Sequence, residues 1–222
     1  MGLDSVVSHR HPSEPMLTAL KRTAAALRDG GIDFALAGSM AAWARGGPAP
    51  CHDVDFVLAE ADVEAALQAV AAAGLRIERP PEGWLVKAWD GDVLVDLIWD
   101  PLGVPITAET LSLTEPLNVA GMPLPVMSTT DVLTSKLLAL SESHLDFEGL
   151  VAIVRALREQ IDWGVLRRRT AGHPLARSFL FLVGELNLLP VGESYEPESL
   201  RIALGTVSEP DGAPEEIPVG PA

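Results

Sequence analysis

The sequence has little cysteine, no long apolar run and few basic residues, which are the features of disulfide-linked, membrane-spanning and nucleic-acid-binding proteins respectively. Its 222 residues include one cysteine, so no disulfide framework can form within the chain. No apolar run approaches the roughly 18 residues of a transmembrane helix. Basic residues are scarce, since 16 Lys and Arg stand against 31 Asp and Glu. A broad nucleic-acid surface, which needs cations against phosphates, is therefore not expected. We expect a soluble cytoplasmic protein without a membrane-spanning segment.

Hydrophobic periodicity divides the chain into two predicted folded parts and a tail. Strand and helix patterns alternate over residues 14–127, and apolar residues at helical spacing continue over residues 128–189. From residue 190 onward proline, glycine and glutamate increase and the periodicity fades. Residues 190–222 are therefore predicted to form a disordered acidic tail. The fold class indicated by this order is α+β, with a helical C-terminal part.

A pair of acidic residues opens one predicted strand. The stretch 34–58 reads FALAGSMAAWARGGPAPCHDVDFVL, in which a short apolar strand, Gly38-Ser39 and a small helix precede Asp53-Val54-Asp55. Because side chains alternate along a strand, Asp53 and Asp55 face the same way. Two such carboxylates repel each other unless a cation lies between them, and Mg²⁺ prefers ligands of this type.

A third acidic residue lies in a later predicted hairpin. Asp90-Gly91 separates two apolar runs, which is a strong hairpin signal. Asp96 lies in the middle of the second run, where an unpartnered carboxylate is costly to bury. Asp100, four residues further on, shares its face and is the rival candidate, although an Asp that ends a strand is the simpler interpretation.

Gly-Ser after an apolar strand, Asp-x-Asp on the next strand, and an Asp within a later apolar strand resemble the nucleotidyltransferase superfamily, which has the polymerase β-like fold. The resemblance implies a mixed β-sheet flanked by helices and followed by a helical part. It also implies that Gly38 and Ser39 hold the phosphates of a nucleoside triphosphate. Asp53, Asp55 and Asp96 would carry two Mg²⁺ ions, with Mn²⁺ as a second candidate.

Two further residues follow from the same resemblance. In the small and toxin-like members, a Lys-bearing helix and then an acidic residue come after the catalytic sheet. The matching text here is DVLTSKLLALSESHLDFEGL, which contains Lys136 and Asp146. Both are implied to bind the nucleotide. A solvated lysine and a helix N-cap are the alternatives, and a solvated helix face is the interpretation of Arg167–Arg169.

The implied activity is Mg²⁺-dependent transfer of a nucleotidyl group from a nucleoside triphosphate to an acceptor hydroxyl, with release of pyrophosphate. The acceptor stays open: one branch modifies small molecules such as aminoglycosides or lincosamides, and a toxin-like branch modifies tRNA or proteins. Ala49 and Cys51 stand where many members have Arg and Thr or Ser. A second hypothesis is therefore a nucleotide-binding or partner-binding protein of toxin–antitoxin type that lacks transfer activity. Its acidic tail would contact the protein partner.

Overall fold

The computed structural model describes residues 11–50, 52–101 and 104–190, and within these ranges eight α-helices and seven β-strands form. The helices are α1 (Glu14–Asp29), α2 (Gly38–Ala44), α3 (Val63–Ala72), α4 (Ala108–Ser112), α5 (Thr129–Leu138), α6 (Phe147–Leu157), α7 (Trp163–Thr170) and α8 (Pro174–Glu185). The strands are β1 (Phe34–Leu36), β2 (Asp53–Leu58), β3 (Arg76–Glu78), β4 (Leu85–Asp90), β5 (Val93–Ile98), β6 (Glu115–Val119) and β7 (Met122–Val126).

The seven strands form one mixed sheet in the order β3-β4-β5-β2-β1-β7-β6. Two neighbouring pairs, β2 with β5 and β1 with β7, are parallel. The remaining pairs are antiparallel. The sheet is flanked by helices and followed by a helical part, so the predicted α+β architecture is confirmed.

Alternation along β2 and β5 separates a core face from a polar face. Val54 and Phe56 of β2 and Val95 and Leu97 of β5 are buried on the face where α1 packs. Burial of side chains of this size contributes about 1.5–3 kcal/mol each. The intervening residues of both strands point to the opposite face, and the acidic residues lie among them.

The predicted hairpin forms, but its turn lies one residue further along the chain than the sequence-based expectation. Asp90 pairs with Val93 across the β4–β5 turn, so the turn residues are Gly91 and Asp92 rather than Asp90 and Gly91. Gly91 has a φ of 62°, a left-handed conformation that glycine adopts without steric cost. This turn fixes which β4 residue lies opposite each residue of β5.

Helix α5 joins the sheet to the helical part of the chain. Ser128 caps its N-terminus and accepts a hydrogen bond from the Asp131 backbone N–H at 3.0 Å. Val132 packs in the core beneath the sheet, whereas Leu133 and Leu137 pack among α6, α7 and α8. This helix therefore contributes to both cores, as does α6, whose Ile153 and Leu157 belong to the first core and whose Leu150 and Val154 belong to the second. The division at residues 127/128 stays a prediction.

Two other sequence-based expectations concern membrane-spanning helices and the C-terminal tail. Among the described residues, no helix combines the length and apolar character that crossing a membrane requires. The predicted acidic tail lies, from residue 191 onward, outside the described residues.

The guanidinium of Arg45 ties the end of α2 to the end of β7. It donates hydrogen bonds to the carbonyl oxygens of Met127 at 2.6 Å and Val126 at 3.1 Å. It also lies 2.9 Å from the Glu115 carboxylate, and its side chain is only 8% exposed. We expect Arg45→Met to lower the free energy of unfolding by about 2–4 kcal/mol, because buried carbonyl acceptors lose a charged donor.

Urea unfolding measures this loss, and an exposed ion pair supplies the control. The side chains of Arg79 and Glu64 are 57% and 70% exposed at 2.9 Å from each other. Arg79→Met should change the free energy of unfolding by less than about 0.5 kcal/mol, because exposed pairs contribute little. Equal effects of the two substitutions would contradict the structural role given to Arg45.

Candidate functional site

The pairing of β2 with β5 brings three carboxylates together on the polar face of the sheet. Asp55 lies directly beside Asp96, and Asp53 lies two residues before Asp55 on the same face. Each offers an oxygen atom, and these three atoms all lie within 4.8 Å of one another. The sequence predicts this set, and the structure brings its members together.

Burial and mutual repulsion disfavour ionisation of the inner carboxylates. Burial, followed by the negative charges of Asp53 and Asp96, raises the pKa of Asp55 from 3.8 to about 7. The positive charge of Lys136 and a hydrogen bond from the Ser39 backbone N–H act in the opposite direction. Burial also raises the pKa of Asp96 to about 6, against the positive charge of Lys87. Added positive charge would therefore stabilise the ionised form of the cluster.

The backbone at Gly38 lies directly against the side chain of Asp55. Its φ is +56°, and a Cβ built on it would lie 1.7 Å from Asp55 Oδ2 and 2.6 Å from Asp55 Cγ. A side chain at this position cannot coexist with the observed carboxylate. Ser39 follows as the second residue of α2, whose N-cap is Ala37. Glycine is therefore needed here both for its conformation and for the close approach.

Lys87 is a member of the site that the sequence analysis missed. It lies on β4 directly opposite Asp96 and on the same face of the sheet. Its charge lowers the pKa of Asp96 relative to the effect of burial alone. The signal was present in the hairpin: with Asp90 paired to Val93, counting three residues along each strand pairs Lys87 with Asp96.

A cavity of about 710 Å³ opens beside the carboxylates. Asp55 and Gly38 line it from the sheet, and Lys136 lines it from α5. The ion pair between Asp131 of α5 and Arg169 of α7 forms another part of the wall. The sequence predicts a solvated helix face for Arg169, and its side chain is 52% exposed while it also forms part of the wall of this cavity.

Asp146 lies at the N-terminus of α6. Its carboxylate accepts a hydrogen bond from the Gly149 backbone N–H at 2.9 Å, and the residue is exposed. It caps the helix, which is the alternative that the sequence allowed, and it does not line the cavity. Its binding to a nucleotide stays a prediction.

The three carboxylates fit a divalent cation. Asp96 Oδ1 is buried and has no hydrogen-bond partner among the described residues, so it retains the capacity to bind a ligand. Oxygen ligands from one or two carboxylates, completed by substrate phosphates, are typical of Mg²⁺ sites. A cation here would offset the repulsion that raises the pKa of Asp55.

Solved structures of another protein have the same fold as this chain. No protein-family model and no curated protein matches the chain. The crystal structure of ANT(2'')-Ia in complex with adenylyl-2''-tobramycin aligns with 73% of this chain and 97% of its own, with a TM-score of 0.52 and 18% identity. The solution structure of the antibiotic-resistance factor ANT(2'')-Ia aligns with 73% of this chain and 94% of its own, with a TM-score of 0.53 and 19% identity. The chain therefore shares the fold of ANT(2'')-Ia, a mixed sheet flanked by helices as the resemblance implies.

Proposed function

We propose that the protein is a divalent-metal-dependent nucleotidyltransferase that transfers a nucleotidyl group from a nucleoside triphosphate to a hydroxyl group of a small molecule. The observation that carries the proposal is the convergence of three carboxylates, with oxygen atoms within 4.8 Å of one another, on a sheet of this fold. One of them, Asp55, lines a cavity that Lys136 also enters. Such a set suits phosphoryl chemistry, which depends on positioning and on compensation of charge.

The metal would be held by Asp53, Asp55 and Asp96, with Mg²⁺ as the expected ion and Mn²⁺ as the alternative. When bound, it would neutralise triphosphate charge and favour ionisation of the attacking hydroxyl. Lys136 would contact phosphate oxygens as a compact cation, since it lines the cavity near Asp55. Gly38, which has no Cβ, leaves room for Asp55 and for phosphates at the start of α2.

The proposed reaction exchanges one phosphorus–oxygen bond for another. The acceptor oxygen attacks the α-phosphorus, the bond to the β-phosphate breaks, and pyrophosphate leaves. Asp96 would take up the acceptor proton, a role supported by its Oδ1, which lacks a hydrogen-bond partner within the described ranges. Lys87, opposite Asp96, would hold this carboxylate in place.

A small-molecule acceptor is favoured over tRNA by the net charge of the chain. The crystal structure of ANT(2'')-Ia is a complex with a small molecule, adenylyl-2''-tobramycin. The present chain has a net charge of −15. Long polyanions require clustered cations. The partner-binding hypothesis rests on the acidic tail, and residues 191–222 lie outside the described part of the chain.

Thermal unfolding with nucleotides tests the proposal. We expect ATP, CTP, GTP or UTP to raise the melting temperature of the wild type in the presence of Mg²⁺, because a ligand that binds only the folded state stabilises it. The double variant Asp53→Ala/Asp55→Ala should lose this rise. At a concentration 100 times the Kd, the stabilisation amounts to about 2.7 kcal/mol.

Asp92→Asn is the matched control for the double variant. Asp92 is an exposed acid at the β4–β5 turn, on the same hairpin as Asp96 but away from the carboxylate cluster. It should keep the full nucleotide response. If no nucleotide shifts the wild type at millimolar concentration, or if the double variant responds as the wild type does, the proposed function is wrong.

A further inference from the structure

The cavity has two chemically different ends, and the strand order tells which substrate each end would receive. In the sheet, β5 lies on one side of β2 and β1 lies on the other. Gly38, which follows β1, and Lys136 therefore mark the end that suits phosphates. Ile98 lies two residues beyond Asp96 on the same face of β5, and it marks the other end. The end beside Asp96 is where an attacking hydroxyl belongs.

The end beside Asp96 is apolar. Its lining comes from the ends of β4 and β5 and from the chain before α4, namely Trp84, Ile98, Pro101, Val104, Pro105 and Ile106. The charged residues among the described lining lie elsewhere, on the sheet centre and on α5 and α7. Of these, Asp131 and Arg169 pair with each other. Lys136 lies close enough to Asp55 to lower its pKa.

This lining does not suit a strongly charged acceptor. An ammonium group that leaves water for an apolar wall needs a carboxylate partner to offset its desolvation. A polyanion needs several cations. The described residues that line the apolar end supply neither, since Asp96 beside it is assigned to the metal and Asp100 does not line the cavity. This end instead matches ligand pockets in which apolar walls surround a few polar groups. The volume of about 710 Å³ also lies within the range of small-molecule sites, roughly 300–1,000 Å³.

We propose that the acceptor is a neutral small molecule that presents an apolar face next to its reacting hydroxyl. This inference rests on the proposed function, since it assigns the acceptor end of that same site. The acceptor lies with its apolar face against Ile98, Trp84 and the 104–106 segment. Its hydroxyl oxygen lies toward Asp96 and the α-phosphorus, to which it bonds as pyrophosphate leaves and its proton passes to Asp96.

Two exposed apolar residues provide a matched pair of variants. Val104 is 60% exposed and lines the cavity, whereas Leu113 is 74% exposed and does not line it. Both lie near α4, and neither belongs to the metal or phosphate contacts. Val104→Asp introduces a negative charge at the apolar end, and Leu113→Asp introduces the same charge outside it.

The probes are 2-(1-naphthyl)ethanol, which is neutral and apolar with one hydroxyl group, and the polycation tobramycin. Ligand-observed NMR measures the binding of each to the full chain with Mg²⁺. We expect the naphthyl alcohol to bind the wild type and Leu113→Asp equally, and Val104→Asp at least about fivefold more weakly, because the charge loses water when the probe covers it. Tobramycin should bind Val104→Asp more tightly than the wild type.

Several results would overturn the inference. The first is that the naphthyl alcohol, at its solubility limit, does not bind the wild type. The second is that tobramycin binds the wild type more tightly than the naphthyl alcohol does. The third is that Val104→Asp and Leu113→Asp change the affinity for the naphthyl alcohol equally. The comparison of the two probes on the wild type needs no variant to fold. Nucleotide-dependent melting is measured in parallel, so a wrong acceptor class leaves the nucleotide response intact, whereas a wrong function removes it.

Discussion

Gly38→Ala is expected to destabilise the protein and to abolish divalent-metal binding. The new Cβ would lie 1.7 Å from Asp55 Oδ2, 2.6 Å from its Cγ and 3.1 Å from its Cβ. The Cβ of Asp55 is fixed by the backbone, and its carboxylate could avoid the new methyl group only by rotating out of the position it holds in the cluster. The left-handed conformation at φ +56° adds about 1–2 kcal/mol for a residue with a Cβ. We expect a total loss of at least about 3 kcal/mol, or roughly 6–12 °C in a chain of this size.

Gly31→Ala separates the backbone contribution from the steric one. Gly31 has a φ of +70°, but no atom lies within 4 Å of a Cβ built there. This variant should lose only about 1 kcal/mol and should bind metal as the wild type does. Thermal melting and Mn²⁺ titration calorimetry measure the two effects. A Gly38→Ala protein that is as stable as Gly31→Ala and still binds metal would refute the fitted contact between Gly38 and Asp55.

Asp55→Asn is expected to stabilise the metal-free protein while it removes the stabilisation by metal. In the folded metal-free state the pKa of Asp55 is about 7, against 3.8 in the absence of such surroundings. Below about pH 4 the carboxyl is protonated in both states and ionisation imposes no penalty. As the pH rises toward 7, the unfolded chain releases the proton first, so the free energy of unfolding falls. The asparagine avoids this loss at pH 8.

The expected gain in stability at pH 8 with EDTA is on the order of 2 kcal/mol, since one pKa unit corresponds to about 1.4 kcal/mol and solvent relieves part of the shift. This corresponds to about 4–8 °C. Millimolar Mg²⁺ should then reverse the order, because only the wild type gains from binding. Asp92→Asn should follow the wild type in both conditions. An Asp55→Asn protein that melts below the wild type in EDTA at pH 8 would show that repulsion within the cluster is not the dominant effect.

The local parts of the site could be predicted because they follow from strand periodicity. Alternation places Asp53 and Asp55 on one face whatever the sheet order, and the apolar residues around Asp96 mark its strand. That Asp96 lies beside Asp55 depends on the parallel pairing of β5 with β2, which the resemblance supplied and no local pattern encodes. Lys87 could have been predicted from the hairpin register, but the turn was placed one residue too early.

Other features depend on contacts between distant parts of the chain. Arg169 lines the cavity because α7 packs on α5 and its side chain pairs with Asp131, 38 residues earlier. A run of three arginines on a helix gives no sign of such packing. The apolar end of the cavity likewise combines Trp84, Ile98 and the segment before α4, which the sequence analysis left without a predicted structure.

Because α5 packs in both cores, the stability of a chimeric protein depends on where its junction lies relative to this helix. Val132 belongs to the core of the sheet, while Leu133 and Leu137 belong to the core of the helical part, and Lys136 lies on the same ten residues. A graft that replaces the chain from residue 128 onward would change the packing under the sheet together with the position of the lysine. A graft that begins after Leu138 would keep Val132 and Lys136 in place but would remove Ile153 and Leu157 of α6 from the core of the sheet. Neither junction therefore separates the two cores, and a chimera needs compatible side chains on both sides of α5.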